Sequence, residues 1–562
     1  MTEPERSFLT TQRDLALAAI RDGWTVMLRR GPSQVQFWFI ALLIGVAAGF
    51  AALFFRKGIN ALQAAIYGTE DVQFLHSYAS SLPWYWILLL PVVGGLAVGV
   101  ILHRFTRDGR ARGVADVIEG AALRDGRVET KAGLASALAS LITLSSGGSS
   151  GREGPVVHLA GVIATLVSRK INADGITGRD LLGCAVAAAV SASFNAPIAG
   201  ALFALEVVLR HFAVHAFAPI VIASVAGTVI NRLEFGDVAE FMLTTPGSLK
   251  FYVELPAFLI LGMVCGLVSA LLMRGIFWAE DVGTWLQRLI RLPGWLRPAV
   301  AGLLLGGMAI GFPHIIGVGY ETTYRALSGD LVLHEAIVFA VLKAVAVAVT
   351  FGGRMGGGVF SPALMVGALT GLAFGLIATG ILPHVSGAHT LYAFAGMGAV
   401  AAAVLGAPIS TTLIVFELTG DWQIGIAVMT SVSLSTALAS RLVARSFFLT
   451  QLKRRRIHLA AGPQAYLLAM FRAGGVMRPL GDPRAPDRAA LEALVGEGLM
   501  VEASSTLEAA MPVFERDDAP ILAVVIRDKE EGSVDIVGGL FHVDALRAYN
   551  RALAATAAEE HS

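Results

Sequence analysis

Long apolar stretches with short polar breaks run through the first four-fifths of the chain. Three uncharged runs are long enough for a helix to cross a bilayer, which takes about 20 residues, and they lie at 37–55, 84–102 and 255–273. Shorter runs broken by Gly or Pro lie at 132–146, 155–168, 298–311 and 391–403. Lipid tolerates such helices only where protein or a water-filled cavity surrounds them. The pattern predicts an all-α polytopic membrane protein with a site between helix ends.

Two pairs of segments repeat along the chain. The stretches SASFNAPIAGALFALE and AAVLGAPISTTLIVFE share Ala-Pro-Ile and a final Glu at an offset of 211 residues. The segments SGREGPVVHLAG and GGVFSPALMVG align Pro155 with Pro362 at an offset of 207. Two matches in the same order predict a duplicated membrane domain over 37–450, with halves at about 37–232 and 253–450. Duplicated membrane halves commonly have inverted topology.

Composition agrees with a membrane protein and changes only near the C-terminus. Hydrophobic residues make up 55% of the 562 residues and charged residues 15%, too few charges for a soluble surface of this size. A net charge of +1 gives no general basic surface, so nucleic acid is not an expected partner. Charges and prolines return over 457–562, where an order of helix, strand, strand and helix predicts a small α/β tail.

Basic residues flank the membrane part on both sides. They occur in the polar N-terminal segment 1–36 and in the run Lys453–Arg456. Because positive charge marks the cytoplasmic side, both termini are expected in the cytoplasm. The absence of organelle-targeting signals favours a bacterial inner membrane. Cys184 and Cys265 lie in apolar runs and are interpreted as small core residues.

One carboxylate stands in a glycine-rich segment, Gly151-Arg152-Glu153-Gly154-Pro155. A charge inside a membrane segment is costly, which makes Glu153 a functional candidate. Pro155 suits the first turn of a helix, where amides and the dipole attract anions. The ionised carboxylate would compete with an anion for those amides and would leave when protonated. The segment predicts a gate; a simple N-terminal cap is the alternative.

A second glycine-rich segment is Gly358-Val359-Phe360-Ser361-Pro362. Glycine lets the backbone approach a ligand, and Pro362 favours another helix start. The peptide N–H groups of Val359 and Phe360 are therefore candidate anion donors. A tight turn needed only for packing is the alternative.

These segments, with the Asn-Ala-Pro and Gly-Ala-Pro-Ile-Ser helices, stand in an order that resembles the CLC family of voltage-gated chloride channels and chloride–proton antiporters. The resemblance covers about 37–450. It implies a homodimer in the bilayer, each subunit built from two inverted repeats of short tilted helices around one pathway for small inorganic anions. Glu153 matches the family's gate, and Gly358, Val359 and Phe360 match its anion-binding backbone.

The segment between the second and third apolar runs departs from the family. Its Gly-Ser-Gly-x-Pro appears here as Ala-Arg-Gly-Val-Ala, so Arg112 replaces the serine that faces the anion, beside Gly113. A guanidinium at that place would favour an oxyanion such as bicarbonate or nitrate through its planar fork. Pairing with Glu153 or Asp116, or exposure in the cytoplasmic vestibule, are the alternatives.

Two further departures concern the inner end of the pathway. Phe448 stands where the family has a tyrosine, so the ring is kept but its O–H donor is lost. Val207 stands where the family's exchangers carry an internal glutamate, and valine carries no proton. Channel-like or weakly coupled transport is therefore expected, with proton-coupled antiport as the alternative. Glu206 points about 100° away on a helix and is interpreted, like Glu417, as structural.

Other chemical signals in the sequence are weak. His158 lies near the gate and is a candidate for pH tuning or for packing. The stretch GGSSG at 147–151 fits G-x-S-x-G, but a helical pattern precedes it instead of a strand. His334-Glu335 lacks the second His of a zinc motif. We expect no enzyme, metal or cofactor, and since the tail resembles one degenerate CBS module, nucleotide binding is not expected.

Overall fold

The computed structural model describes residues 33–68, 74–212, 214–236, 251–384, 386–457, 459, 467–527 and 534–560. Within them, the chain up to Arg454 folds into helices joined by short loops. The helices of the first half are α1 (Gln34–Tyr67), α2 (Leu75–Ser80), α3 (Trp84–Phe105), α4 (Val114–Leu123), α5 (Thr130–Ser145), α6 (Glu153–Lys170), α7 (Gly175–Phe194), α8 (Pro197–Phe203) with a π-helical turn (Ala204–Leu209), and α9 (Val214–Phe235).

The second half repeats this pattern. Its helices are α10 (Phe251–Leu289), α11 (Arg297–Gly311), α12 (Tyr320–Ser328), α13 (Leu333–Gly352), α14 (Phe360–Ile381), α15 (His389–Leu405), α16 (Pro408–Thr419), α17 (Trp422–Leu442) and α18 (Phe447–Arg454), with 3-10 turns at Gly294–Leu296 and Pro313–Ile315. The polar N-terminal segment, apart from its last four residues, lies outside the described residues. The exact domain boundaries stay a prediction.

Helix lengths confirm the prediction of a polytopic membrane protein. Eight helical segments in the described residues are long and apolar enough to cross a bilayer. The helices at two of the short runs, α5 and α15, have 16 and 17 residues. The run at 298–311 was wrongly predicted to be too short, because the turn Gly294–Leu296 extends it to 18 residues. Every residue of α15 except its first is buried, as expected of a short helix surrounded by protein.

Glycines allow α14 and α15 to pack closely where the two helices cross. A Cβ on Gly371 would lie 2.1 Å from the carbonyl oxygen of Tyr392, and one on Gly367 would lie 2.4 Å from that of Gly396. Small residues four apart let the two backbones meet, as is usual between membrane helices. This contact fixes the position of α14, whose first turn lies at the candidate site.

Reciprocal contacts confirm the internal repeat. Gly151 and Gly358, which differ by 207 residues, exchange two backbone hydrogen bonds of 2.7 Å. Glu206 accepts from the N–H groups of Ile409 and Ser410 in α16, and Glu417 accepts from the N–H groups at 198 and 199 in α8, at the offset of 211. Contacts repeated with exchanged roles arise when two halves are related by a two-fold axis. The interpretation of Glu206 and Glu417 as structural residues is thereby supported.

The tail is a small α/β unit, as predicted. Its elements are α19 (Leu467–Met470), α20 (Ala473–Val476), β1 (Arg478–Pro479), α21 (Arg488–Gly496), β2 (Met500–Glu502), α22 (Leu507–Asp517), β3 (Ile521–Arg527), β4 (Val534–Phe541) and α23 (His542–Glu560). The sheet order is β1-β4-β3-β2, with β2 and β3 parallel and the other pairs antiparallel. Glu508 of α22 docks the tail, because its carboxylate lies 3.2 Å from Arg179 and 3.6 Å from Arg210.

Candidate anion site

Glu153 begins α6, and its carboxylate reaches the first turn of α14. Only 2% of the residue is exposed. The hydroxyl of Ser361, the second residue of α14, donates a short hydrogen bond to Oε1 of Glu153. Nε of Arg152 lies 3.9 Å from the same oxygen. The ionised carboxylate thus occupies a helix N-terminus, a place that favours any anion.

The glycine-rich loops before α6 and α14 hold this arrangement. The bridge between Gly151 and Gly358 joins the two loops back to back. Gly357 has a φ of +134°, which side-chain-bearing residues rarely adopt, and a Cβ there would lie 2.0 Å from Oγ of Ser150. These glycines are therefore required for the two helix N-termini to meet, as the sequence predicted for a backbone site.

A single cavity brings the predicted site residues together. Its volume is about 80 Å³, and its lining includes Arg112, Gly113, Glu153, Gly358, Val359, Phe360 and Phe448. These residues come from four separate stretches of the chain, so their convergence does not follow from sequence proximity. The cavity reaches from the carboxylate of Glu153 to Arg454 and Arg455, the residues that lead into the tail.

Phenylalanine rings line the cavity between its two ends. The ring centroids of Phe360 and Phe194 are 4.6 Å apart, and those of Phe447 and Phe448 are 5.9 Å apart in an edge arrangement. Ring edges carry partial positive charge, so they tolerate an anion without a formal cation. Phe448 is buried and lacks the hydroxyl donor of a tyrosine.

The guanidinium of Arg112 does not stand free in the cavity. It donates to Asp108 at 2.9 Å and to Glu129 at 3.1 Å, and its Nε lies 3.9 Å from Asp116. The expectation of a guanidinium that binds the transported anion is not supported, since three carboxylates already neutralise its charge. Of the alternatives, pairing with Asp116 is the one that the geometry supports.

Gly113 and Asp116 form the start of α4. The N–H of Gly113 donates to Asp116 Oδ2 at 2.8 Å, while Asp116 Oδ1 accepts from Arg455 at 2.7 Å. The predicted anion donor Gly113 is therefore bound to a carboxylate of the protein. Arg455 follows α18 directly, so this contact also ties the start of α4 to the segment that leads into the tail.

Val207 and His158 do not line the cavity. Val207 is buried in the π-helical turn, and neighbouring Glu206 is fully engaged by α16, including the hydroxyl of Ser410 at 2.7 Å. His158 lies instead in a separate cavity, which Asp116, Glu129 and Arg112 also line. Its two ring nitrogens have no hydrogen-bond partner among the described residues. Its place next to Asp116 leaves a role in pH response as a prediction.

Sequence reasoning missed several residues at the site. Ser361, which donates to Glu153, stands in a motif whose backbone alone had been considered. Arg110, Arg297 and Arg354 line the same cavity. Arginine inside or beside an apolar run is itself a functional signal, and it would have identified Arg297 and Arg354.

The alternative chemistries find no support in the described residues. The stretch 147–151 follows helix α5 and precedes α6, so the strand that a serine-hydrolase elbow requires is not present there. Cys184 and Cys265 are buried and free, as expected. Among the residues that the structure describes, no group of three or more His, Cys, Asp or Glu is placed to hold a metal ion.

Comparison with known proteins agrees with the fold and the motifs. The model of the family described as "Voltage gated chloride channel" matches residues 94–440. A putative ClcB-like chloride channel protein of Ralstonia nicotianae is 32% identical over 421 residues, which is 74% of this chain and 96% of that protein. A voltage-gated ClC-type chloride channel ClcB of Escherichia coli is 28% identical, covering 68% of this chain and 91% of that protein.

Solved structures share the same fold. A slow cyanobacterial Cl-/H+ antiporter superposes with a TM-score of 0.66 at 21% identity, over 75% of this chain and 98% of the other. A eukaryotic CLC transporter superposes with a TM-score of 0.64 at 19% identity, over 90% of this chain and 97% of the other. At this identity the likeness concerns the fold alone. The family match and the relatives together show that the chain belongs to the voltage-gated chloride channel (CLC) family.

Proposed function

We propose that this protein moves small inorganic anions, chloride first, across the membrane through the cavity between α4, α6, α14 and α18. The observation that carries the proposal is the position of Glu153. Its buried carboxylate lines the cavity and lies against the first turn of α14, where it stands in for an anion. Membership of the family supports anion transport in general, whereas the gating role of Glu153 rests on this geometry.

The gate works by competition at one helix N-terminus. The ionised carboxylate of Glu153 holds the hydroxyl of Ser361 and excludes an anion from the start of α14. Protonation removes its charge, weakens that hydrogen bond and lets the side chain leave. Anion flux therefore rises as pH falls, and the backbone of Gly358, Val359 and Phe360 becomes available to the anion, with Phe448 at the inner side.

We favour channel-like or weakly proton-coupled transport. Val207 offers no titratable group, and Glu206 cannot replace it because its two oxygens cap α16. A proton-coupled antiporter is the second candidate, favoured by His158, a buried titratable side chain next to Asp116. Transport of an oxyanion by Arg112 is not retained, because that guanidinium is bound by carboxylates.

Further features belong to the same proposal. Two copies of the chain would each contain one pathway, with exposed apolar residues such as Ile198, Ile409 and Met429 facing lipid or the second copy. The bacterial relatives support a cell (inner) membrane, with both termini in the cytoplasm. We propose no enzyme activity, metal, cofactor or nucleotide at the tail.

Simultaneous flux recordings test the function and the mode. The purified protein is reconstituted in liposomes, and chloride efflux is recorded together with internal pH under a chloride gradient. Chloride efflux without proportional proton movement supports the proposal. Proton movement in fixed ratio to chloride would establish the antiporter, and the absence of chloride flux at every pH would contradict the proposed function.

A further inference from the structure

Arginines outnumber carboxylates in the lining of the cavity. Six arginines and three acidic residues line it. Arg112, Arg454 and Arg455 are each paired with carboxylates. Among the described residues, no carboxylate lies within 4 Å of the guanidinium groups of the other three, Arg110, Arg297 and Arg354.

Backbone contacts bring these three arginines together. A guanidinium nitrogen of Arg354 lies 3.4 Å from the carbonyl oxygen of Asp108, two residues before Arg110. Nε of Arg297 donates to the carbonyl of Gly352, two residues before Arg354, at 2.7 Å. Burial and the charge of nearby Arg110 lower the pKa of Arg354, which agrees with like charges held close together.

Arg297 is fixed without being neutralised. Its guanidinium makes four hydrogen bonds, to the carbonyls of Gly352 and Glu280, the hydroxyl of Thr284 and the amide oxygen of Gln287. All four acceptors are uncharged, and the residue is buried. The Glu280 carboxylate also lines the cavity, but its nearest cation is Arg454 at 3.9 Å. A buried charge of this kind is costly unless an anion compensates it.

We infer that Arg110, Arg297 and Arg354 form a second anion site, which binds a doubly charged tetrahedral oxyanion of the sulfate and phosphate class at the tail-side mouth of the cavity. A dianion would place two negative charges among the three guanidinium groups, whereas one chloride would place a single charge there. Planar guanidinium forks also match the paired oxygens of an oxyanion.

A bound dianion would block the pathway instead of crossing it. Further in, the cavity offers peptide N–H groups, phenyl rings and the negative carboxylate of Glu153, none of which compensates two buried charges. Sulfate at the mouth therefore stands in the way of chloride. The block rests on the proposed transport function, but the binding does not.

Binding is tested on the purified full-length protein in detergent. Sodium sulfate is compared with sodium gluconate at equal ionic strength, and the apparent unfolding temperature is recorded. We expect sulfate to raise this temperature in a saturable manner. Arg110→Gln and Arg354→Gln should each raise the half-saturating sulfate concentration at least tenfold. Arg124→Gln, which removes an arginine paired with Glu119 outside the cavity, is the matched control and should leave it unchanged.

Inhibition is tested in liposomes with sulfate on both sides of the membrane. Chloride efflux of the wild type should fall with sulfate, and the two variants should resist it. An equal response in Arg354→Gln and Arg124→Gln, no response in the wild type, or uptake of labelled sulfate would overturn the inference. Arginine-dependent binding in a protein that passes no chloride would support the site and reject the transport function. A stronger effect of ATP, lost in the same variants, would support the site with a nucleotide phosphate as its source.

Discussion

The membrane domain contains two kinds of buried or partly buried carboxylate at the helix ends: a pair that occurs in both halves and one that occurs only in the first half. Glu206 and Glu417 occupy equivalent positions, and each caps a helix of the other half through two backbone N–H groups. Glu153 has no such counterpart, because the equivalent residue 207 positions later is Phe360. The paired carboxylates serve the fold, whereas the single one lies in the cavity. The two halves share a duplicated fold, and the candidate site lies where their sequences differ.

The bridge between Gly151 and Gly358 is symmetric, but the residues that follow the two glycines differ. Gly151 and Gly358 keep their symmetric hydrogen bonds, so both loops present a helix N-terminus to the same place. Only the first loop then supplies a carboxylate, and only the second supplies the hydroxyl that binds it, Ser361. A titratable group of one half thus contacts the first turn of a helix in the other half.

The largest expected effect is on stability and concerns the paired carboxylates. Glu206→Gln replaces one acceptor oxygen by an amide donor that faces the N–H groups of α16, a loss of about 3 kcal/mol in the free energy of unfolding. Glu417→Gln should cost somewhat less, because it binds no hydroxyl in addition. The apparent unfolding temperature in detergent measures both, with the exposed Glu492→Gln as control. An equal loss in Glu153→Gln would break the distinction between paired and single carboxylates.

The next effect concerns the contact between the halves at the gate. Ser361→Ala removes the hydroxyl that stabilises the ionised carboxylate of Glu153, a hydrogen bond of roughly 1.5–3 kcal/mol. Because the seated, ionised form becomes less stable, the pH at which flux reaches half its maximum should rise by about one unit or more. Ser150→Ala, which removes another buried hydroxyl of these loops, is the control. An unchanged pH profile in Ser361→Ala would show that this hydroxyl does not hold the gate.

A smaller effect is expected at the inner side of the cavity. Phe448→Tyr restores a hydroxyl donor toward the anion, so chloride should bind a few-fold more tightly, since a neutral hydrogen bond contributes about 1 kcal/mol. Chloride binding by calorimetry and efflux rate are the measurements, with Phe447→Tyr as the neighbouring control. Equal chloride affinity in wild type and Phe448→Tyr would place the ring outside the anion pathway.

The smallest effect concerns Arg112. It tests whether a charged residue that departs from the family pattern must take part in anion binding. Arg112 is a single charged residue at the family's serine position, yet Asp108, Glu129 and Asp116 neutralise it. Arg112→Gln should therefore leave the ratio of chloride to nitrate flux within about twofold of wild type. A change of tenfold or more would return Arg112 to the anion site.

Much of this picture could be predicted from local sequence. Gly and Pro favour particular helix starts, which is why helices could be predicted to begin near Glu153 and Phe360, as they do. The repeat was visible because glutamates and prolines recur at fixed offsets. The last four elements of the tail, a helix, two strands and a helix, could be predicted from the sequence, whereas the five short elements over 467–502 were missed.

Side-chain direction could not be predicted, because it depends on residues far away in the sequence. Arg112 pairs with Asp108 and with Glu129, the residue before α5, because both carboxylates lie within its reach. The cluster of Arg110, Arg297 and Arg354 draws on three distant segments. His158 faces Asp116, which belongs to another helix, so its spacing from Pro155 carried no information about its partner.

The pH dependence of chloride efflux in Glu153→Gln tests the central claim most directly. Wild type and variant are reconstituted at equal density, and efflux is measured from pH 4 to pH 8, chosen as roughly the range over which carboxyl and imidazole groups titrate. Glutamine has the shape of the protonated side chain and cannot ionise, so the account predicts efflux in the variant that is high and independent of pH, while wild-type efflux falls as pH rises. A variant whose efflux keeps the wild-type pH profile would contradict the assignment of Glu153 as the gate.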